Sequence, residues 1–388
     1  MKTWVPLLVC TLLAACAAMP QAQRDERYFS DRLFAAPSER ISAQDVFALS
    51  AGMKSYVDAE IAGPARVRGR QLALVDALYK QGQLKLEYDT EMTRNAAEAF
   101  EARTGNCLSL VIMTAAFAKE LGLTVEYQKV FVDDAWARSG DLYLSIGHVN
   151  LTLGHRRTDE GGGGYRVGVK PRESDGLTID FLPPEDMRGM RMRVIGEDVI
   201  VAMFMNNRAV EALSRGQLDD AYWWAREAVV QAPEFQMPYN TLGAIYRRHG
   251  NLKEAEQVLR HVLDREPANT QAMSNLVAVL DDLGRSDEAR RLADRLRRME
   301  PDPAFSHFNR GLAAMRVGDA KTAKEAFALE VARAPDYHEF HFWLALAQYS
   351  LGEIGPAREH MAIAMKNSTT QRDHELYAAK LDRLNHLH

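Results

Sequence analysis

Apolar positions in the second half of the chain recur three and four residues apart, and this helical pattern itself repeats. Pro233, Pro267, Pro301 and Pro335 stand 34 residues apart. Gly216, Gly250, Gly284, Gly318 and Gly352 keep the same interval, as do Ala221, Ala255, Ala289, Ala323 and Ala357. Three columns in register predict stacked helical hairpins. The glycine closes the turn inside each hairpin, where a left-handed backbone costs it little. The alanine lets paired helices approach closely. The proline opens the next unit's first helix, where no N–H is needed. Four full units and a fifth without a closing proline are expected over 202–369. Residues 370–388 are expected to form a capping helix with a polar outer face.

The first half reads differently. Ser42-x-x-Asp45 predicts the capped start of a helix to about Ile61. Gln71–Lys80 and Arg94–Ala102 also read as helices. Thr104 to Leu110 reads as a turn running into an apolar helix that Gly122 closes. The pattern then alternates with period two, predicting strands at Thr124–Val132, Leu142–Leu153, Tyr165–Val169 and Leu177–Phe181. The Gly161–Gly164 run reads as a loop between strands, because it lacks the lysine and helix of a phosphate cradle.

Composition adds little to this picture. The 388 residues predict two or three domains. A formal net charge of −5 gives no basic surplus for nucleic acid. The amino end changes the picture more. Lys2 precedes a run from Val5 to Ala18 that is apolar apart from Thr11 and broken by Pro6. That is shorter than the roughly 20 residues that span a bilayer and fits an export signal. Leu13-Ala14-Ala15-Cys16 resembles the bacterial lipobox. The resemblance implies a signal over 1–15, acylation of Cys16, a linker over 16–41 and a lipid anchor in the membrane. With Ala17 in place of the aspartate that retains such proteins at the inner membrane, the periplasmic face of the outer membrane is expected. An ordinary cleaved signal is the alternative. Of three cysteines, Cys10 would leave with the signal and Cys16 would carry lipid, so Cys107 is left as a thiol without a disulfide partner.

Tyr239, Leu242-Gly243, Tyr246, Ala255 and Pro267 closely resemble the tetratricopeptide consensus. The resemblance implies an all-α superhelical solenoid whose concave groove takes a protein or peptide partner. His338, Phe340, His341, Phe342 and Trp343 cluster on one of its helices, either as a ligand patch or as ordinary packing.

The segment Ala97-Glu98-Ala99-Phe100-x-x-Arg103-x-Gly105-Asn106-Cys107-Leu108-Ser109 resembles the nucleophile region of transglutaminase-like thiol enzymes, in the papain-like superfamily. Gly147-His148-Val149-Asn150-Leu151 is similar to that family's histidine strand, and Ile179-Asp180-Phe181-Leu182-Pro183 to its aspartate strand. The resemblance implies an α+β domain over 42–193, with Cys107 as nucleophile, His148 as base and acid, and Asp180 as orienting carboxylate. It implies action on protein or peptide amide bonds through an acyl-thioester, resolved by hydrolysis or by acyl transfer; the sequence carries no cofactor or metal signature. Physical chemistry runs the same way. The thiolate is the nucleophile, and a helix N-terminus favours it by only about 0.3–1 kcal/mol. A histidine must supply the rest and must itself be held in one tautomer. The Cys107 amide is expected to donate to an oxyanion, with Asn106 and Tyr88 as candidates for a second donor. His155 and Asp175 are the rival base and carboxylate. Asn150 departs from the family, which often carries an aromatic residue there. A non-catalytic adaptor retaining the fold is the competing reading.

Overall fold

The computed structural model describes residues 26–79, 87–88, 92–131, 136–139, 142–145, 148–154, 176–181, 191–301, 303 and 305–386. Cys16, His155, Asp175, the Tyr165–Val169 strand, the Gly161–Gly164 loop and the side chain of Tyr88 lie outside them.

Helix α1 spans Ala51–Tyr56 and continues through a π-helical stretch, Val57–Ile61, into α2, Ala62–Arg68. The expected start at Ser42 is a single 3₁₀ turn instead, with no side-chain cap. A turn follows it, and its Val46 carbonyl accepts from the Ala96 amide. The helix waits for Ser50, whose hydroxyl accepts from the Met53 amide at 3.2 Å. Next come α3 Arg70–Tyr79, β1 Glu87–Tyr88, α4 Ala96–Ala102, β2 Thr104–Gly105 and α5 Cys107–Glu120. Strands β3 Val125–Phe131, β4 Trp136–Ser139, β5 Leu142–Ser145, β6 His148–Leu153, β7 Leu177–Ile179 and β8 Arg191–Ile195 complete the first half. The single strand expected over Leu142–Leu153 is two. β5 pairs with β4, whereas β6 joins an antiparallel sheet of order β7-β6-β3-β8. The edge strand β8 has no counterpart in the sequence pattern. Four of its five residues are exposed, so a one-sided apolar signal is missing.

The row Val149, Leu151 and Leu153 enters the core with the apolar side chains of α5. The alternate row, His148, Asn150 and Thr152, is polar and buried all the same. Period two has therefore put the chemistry on one face of β6 and the packing on the other.

Among the described residues eleven helices follow: α6 Glu197–Ser214, α7 Leu218–Gln231, α8 Met237–His249, α9 Leu252–Arg265, α10 Thr270–Asp282, α11 Ser286–Met299, α12 Ser306–Arg316, α13 Ala320–Arg333, α14 His338–Ser350, α15 Ile354–Lys366 and α16 Gln371–Asn385. They form five hairpins and a terminal helix. The first hairpin starts at Glu197, earlier than position 202. The five glycines of the repeat column all adopt positive φ, 74° to 89°. The alanines of their column are buried between paired helices. His338, Phe340 and His341 turn inward: His338 meets the Tyr377 hydroxyl at 2.9 Å, and His341 is 3% exposed. The packing alternative describes this patch.

Two features were not foreseen. One apolar core runs unbroken from Tyr28 through α5, β6 and α6 to α11, with no seam between the two halves. It stops there. A cluster from Phe305 to Ala347 and another from Ala345 to Leu384 are separate, meeting on α14. The second feature is that 26–39, expected as part of a linker, is a strap bound across the first two hairpins. Phe34 stacks on Tyr222 with ring centres 4.0 Å apart. The Ser30 amide donates to the hydroxyls of Tyr222 and Tyr246, and Tyr222 donates to Asp31 at 2.6 Å. Trp223 and Trp224 donate their indole hydrogens to Ala35 O and Glu39.

Candidate functional site

Cys107 is the first residue of α5, and its surroundings explain why the helix begins there. β1 and β2 pair in parallel, with Tyr88 opposite Gly105. Asn106 caps the helix: its Oδ1 accepts from the Ser109 amide and from the Ser109 hydroxyl, both at 2.9 Å. Ser109 Oγ in turn accepts from the Arg94 amide at 2.8 Å. A Cβ on Gly105 would lie 2.7 Å from Ser109 Cβ, so this turn approaches the helix as only glycine can.

α5 packs against β6, and the first residue of each meets the other. The Cys107 thiol stands near enough to the His148 ring to raise its pKa. His148 Nε2 lies 2.7 Å from Asp180 Oδ1, which leaves Nδ1 for the sulfur. Asp180 directly follows β7, whose Ile179 pairs with Leu151. That register sets Asp180 opposite Asn150 and diagonal to His148 on the same face. Asn150 uses the position: its Nδ2 donates to Asp180 Oδ2 at 2.7 Å. Both carboxylate oxygens are thus occupied, one by the imidazole and one by an amide that cannot titrate. The three predicted residues, Cys107, His148 and Asp180, come together in one row.

Burial pushes the His148 pKa down, but the Asp180 hydrogen bond and the bond and charge of Cys107 outweigh it and hold the pKa at about 9. At neutral pH the ring is an imidazolium between a sulfur and a carboxylate, able to give a proton to a leaving amine. Cys107 and His148 are 6% and 4% exposed. Of the two candidate oxyanion donors, Asn106 uses one of its two Nδ2 hydrogens on Thr93 Oγ1 at 3.0 Å. Among the described residues no three His, Cys, Asp or Glu side chains gather to hold a metal ion. No described helix is long and apolar enough to cross a membrane.

Sequence reasoning missed two residues of the site. Asn150 had a signal, since it lies two positions from His148 and shares its face of the strand. Thr93 had none, because its partners are brought to it by tertiary folding.

A stack of helical hairpins following a helix and sheet that bring a thiol, an imidazole and a carboxylate together is the class of molecule these elements define. Similarity to known proteins falls on the hairpins. The tetratricopeptide repeat family model matches residues 246–308. The TPR repeat-containing protein YvcD of Bacillus subtilis (strain 168) is 26% identical over 181 residues. That match takes in 46% of this chain and only 37% of the relative's length. Among solved structures, a thermophilic TPR protein of Thermus thermophilus, TTC0263, is 18% identical, covering 48% of this chain and 100% of that one with a TM-score of 0.32. Pseudomonas aeruginosa pilF is 18% identical, covering 49% and 86% with a TM-score of 0.30. Tetratricopeptide repeats are thus supported at 246–308, and the hairpins on either side share their 34-residue columns of glycine and alanine.

Proposed function

We propose that the repeats dock a protein or peptide partner beside a thiol hydrolase centre of transglutaminase-like type, with Cys107 as nucleophile, His148 as acid and base, and Asp180 as its orienting partner. The repeat matches support the docking half of this reading. The His148–Asp180 hydrogen bond, with Cys107 near enough to raise the His148 pKa, supports the chemical half. In the reaction, the Cys107 thiolate adds to an amide carbonyl carbon. The tetrahedral intermediate collapses as the C–N bond breaks and His148 gives its proton to the departing amine. Water then adds to the thioester while His148 takes one of its protons. Cleavage of the C–S bond releases the acid and restores thiolate and imidazolium. We also propose a lipid anchor at Cys16 that holds the protein at the periplasmic face of the outer membrane. Cys16→Ala then releases it from membranes into the soluble fraction, and retention at the membrane would overturn the anchor.

A non-catalytic adaptor is the second reading. Two observations favour it: the matched family and relative are repeat proteins, and Cys107 is buried. Iodoacetamide separates the readings. A working pair gives rapid alkylation of Cys107 at pH 7 in the native protein, slowed at least about tenfold in His148→Ala. Equal rates in the two proteins, or labelling only on unfolding, would falsify the hydrolase reading and leave the adaptor.

A further inference from the structure

The support of the nucleophile does not end in the first half of the chain. Thr93 is 1% exposed and stands between the cap of α5 and the first helix of the repeats. Its hydroxyl oxygen accepts from Asn106 Nδ2 at 3.0 Å and from Asn207 Nδ2 at 3.2 Å. Its backbone amide donates to Glu211 Oε1 at 2.7 Å. The Thr93 oxygen thus serves two side-chain amides, while its backbone N–H ties the residue to the Glu211 carboxylate. Asn207 and Glu211 lie four residues apart on α6, one turn of a single face.

The chain of donors therefore has one direction. The Glu211 carboxylate receives the Thr93 amide hydrogen. Thr93 receives an Asn106 hydrogen. Asn106 is thereby held with its Oδ1 toward α5, where it takes the Ser109 amide. An amide side chain has two faces, and only this one caps the helix. Reversed, its NH₂ would point at the Ser109 amide, donor against donor. Glu211 Oε2 is buried without a partner among the described residues, which marks the carboxylate as held here against a desolvation cost. A surface hairpin serving only to bind partners needs no such group.

We propose that Asn207 and Glu211, on the first helix of the repeats, are positioning residues for Cys107, acting through Thr93 on the Asn106 cap. The inference rests on the hydrolase reading above. It makes the first hairpin part of the catalytic apparatus, while partner docking falls to the hairpins beyond it.

The test is the rate of iodoacetamide labelling of Cys107 at pH 7 in the full chain. Thr93→Val keeps the shape and removes the hydroxyl; labelling falls about tenfold, as expected for losing a buried hydrogen-bonding group. Thr93→Ser restores the hydroxyl and labels within about twofold of wild type. Glu211→Gln keeps an acceptor for the Thr93 amide but loses the charge, and labelling falls by about threefold. If Thr93→Val does not fold, Glu211→Gln decides in the same way. Wild-type labelling in the folded Thr93→Val protein, with His148→Ala slowed, overturns the positioning role and leaves the hydrolase reading standing. Wild-type labelling in His148→Ala removes both.

Discussion

His148 keeps its proton well above the 6.5 at which an ordinary imidazole releases it. Because its folded pKa is raised, the stability it contributes is complete below about 6.5 and is lost as pH climbs through about 9. Asp180→Asn removes the charge that holds the proton. The Tm gap between wild type and this variant is therefore widest at pH 6 and closes above pH 9. A gap independent of pH would show that the carboxylate does not hold this ring. The same substitution brings the His148 Cε1–H NMR titration down from about 9 toward 6.5. Gly105 carries a steric constraint of the same local kind. Gly105→Ala drives a Cβ to within 2.7 Å of Ser109, and overpacking of that sort costs about 1–3 kcal/mol. Slowed Cys107 labelling and a lowered urea midpoint are expected together. Cys107, His148 and Asp180 were legible because their order and surrounding residues resemble a known family. The His148–Asp180 bond itself was not, since it depends on the register that sets Asp180 diagonal to His148.

Among the elements, the hairpins were the most legible, because each column answers to one local constraint. Glycine must adopt positive φ at the turn, alanine must sit between helices, and neither depends on distant sequence. Gly243 and Gly311 add a second kind of constraint inside α8 and α12. A Cβ at Gly243 would meet Leu259 at 2.6 Å, and one at Gly311 would meet Phe327 at 2.5 Å. Gly311→Ala is expected to destabilise the carboxy-terminal hairpins by about 1–3 kcal/mol while Cys107 labelling keeps its wild-type rate. Hydrogen exchange resolved by segment reads this directly: α12 and α13 lose protection, and α5 does not. The start of α1 was misread for a comparable reason. Ser42 and Ser50 are equally good caps by composition, and the choice was made by Val46, which is 1% exposed and whose carbonyl is taken by Ala96. Strand β8 was invisible because a mostly exposed edge strand lacks the alternation that betrays the others.

Over the whole molecule, the continuity of the core decides how the parts behave. The strap, the sheet and the first three hairpins share one apolar interior, and the last two hairpins do not. Thermal unfolding is expected in two steps, with the carboxy-terminal hairpins melting apart from the rest. A single calorimetric transition would contradict that division. Phe34→Ala removes a ring stacked on Tyr222 and costs about 3–5 kcal/mol. Limited proteolysis is then expected to cut within 26–41, where the wild-type chain resists. Neither feature was legible in sequence. The strap joins residues about two hundred positions apart, and its composition is that of any polar connector.

The strap also determines where a load enters the molecule. Tension drawn on the amino end reaches His261 and Tyr246 first, through Tyr28, then Tyr222 through Ser30 and Asp31, and is spread over α7, α8 and α9. It arrives at the helices of the repeats before it reaches α1 or the strand that carries His148. The attachment works as a strain relief does on a cable: the clamp takes the pull, and the contacts beyond it stay at rest.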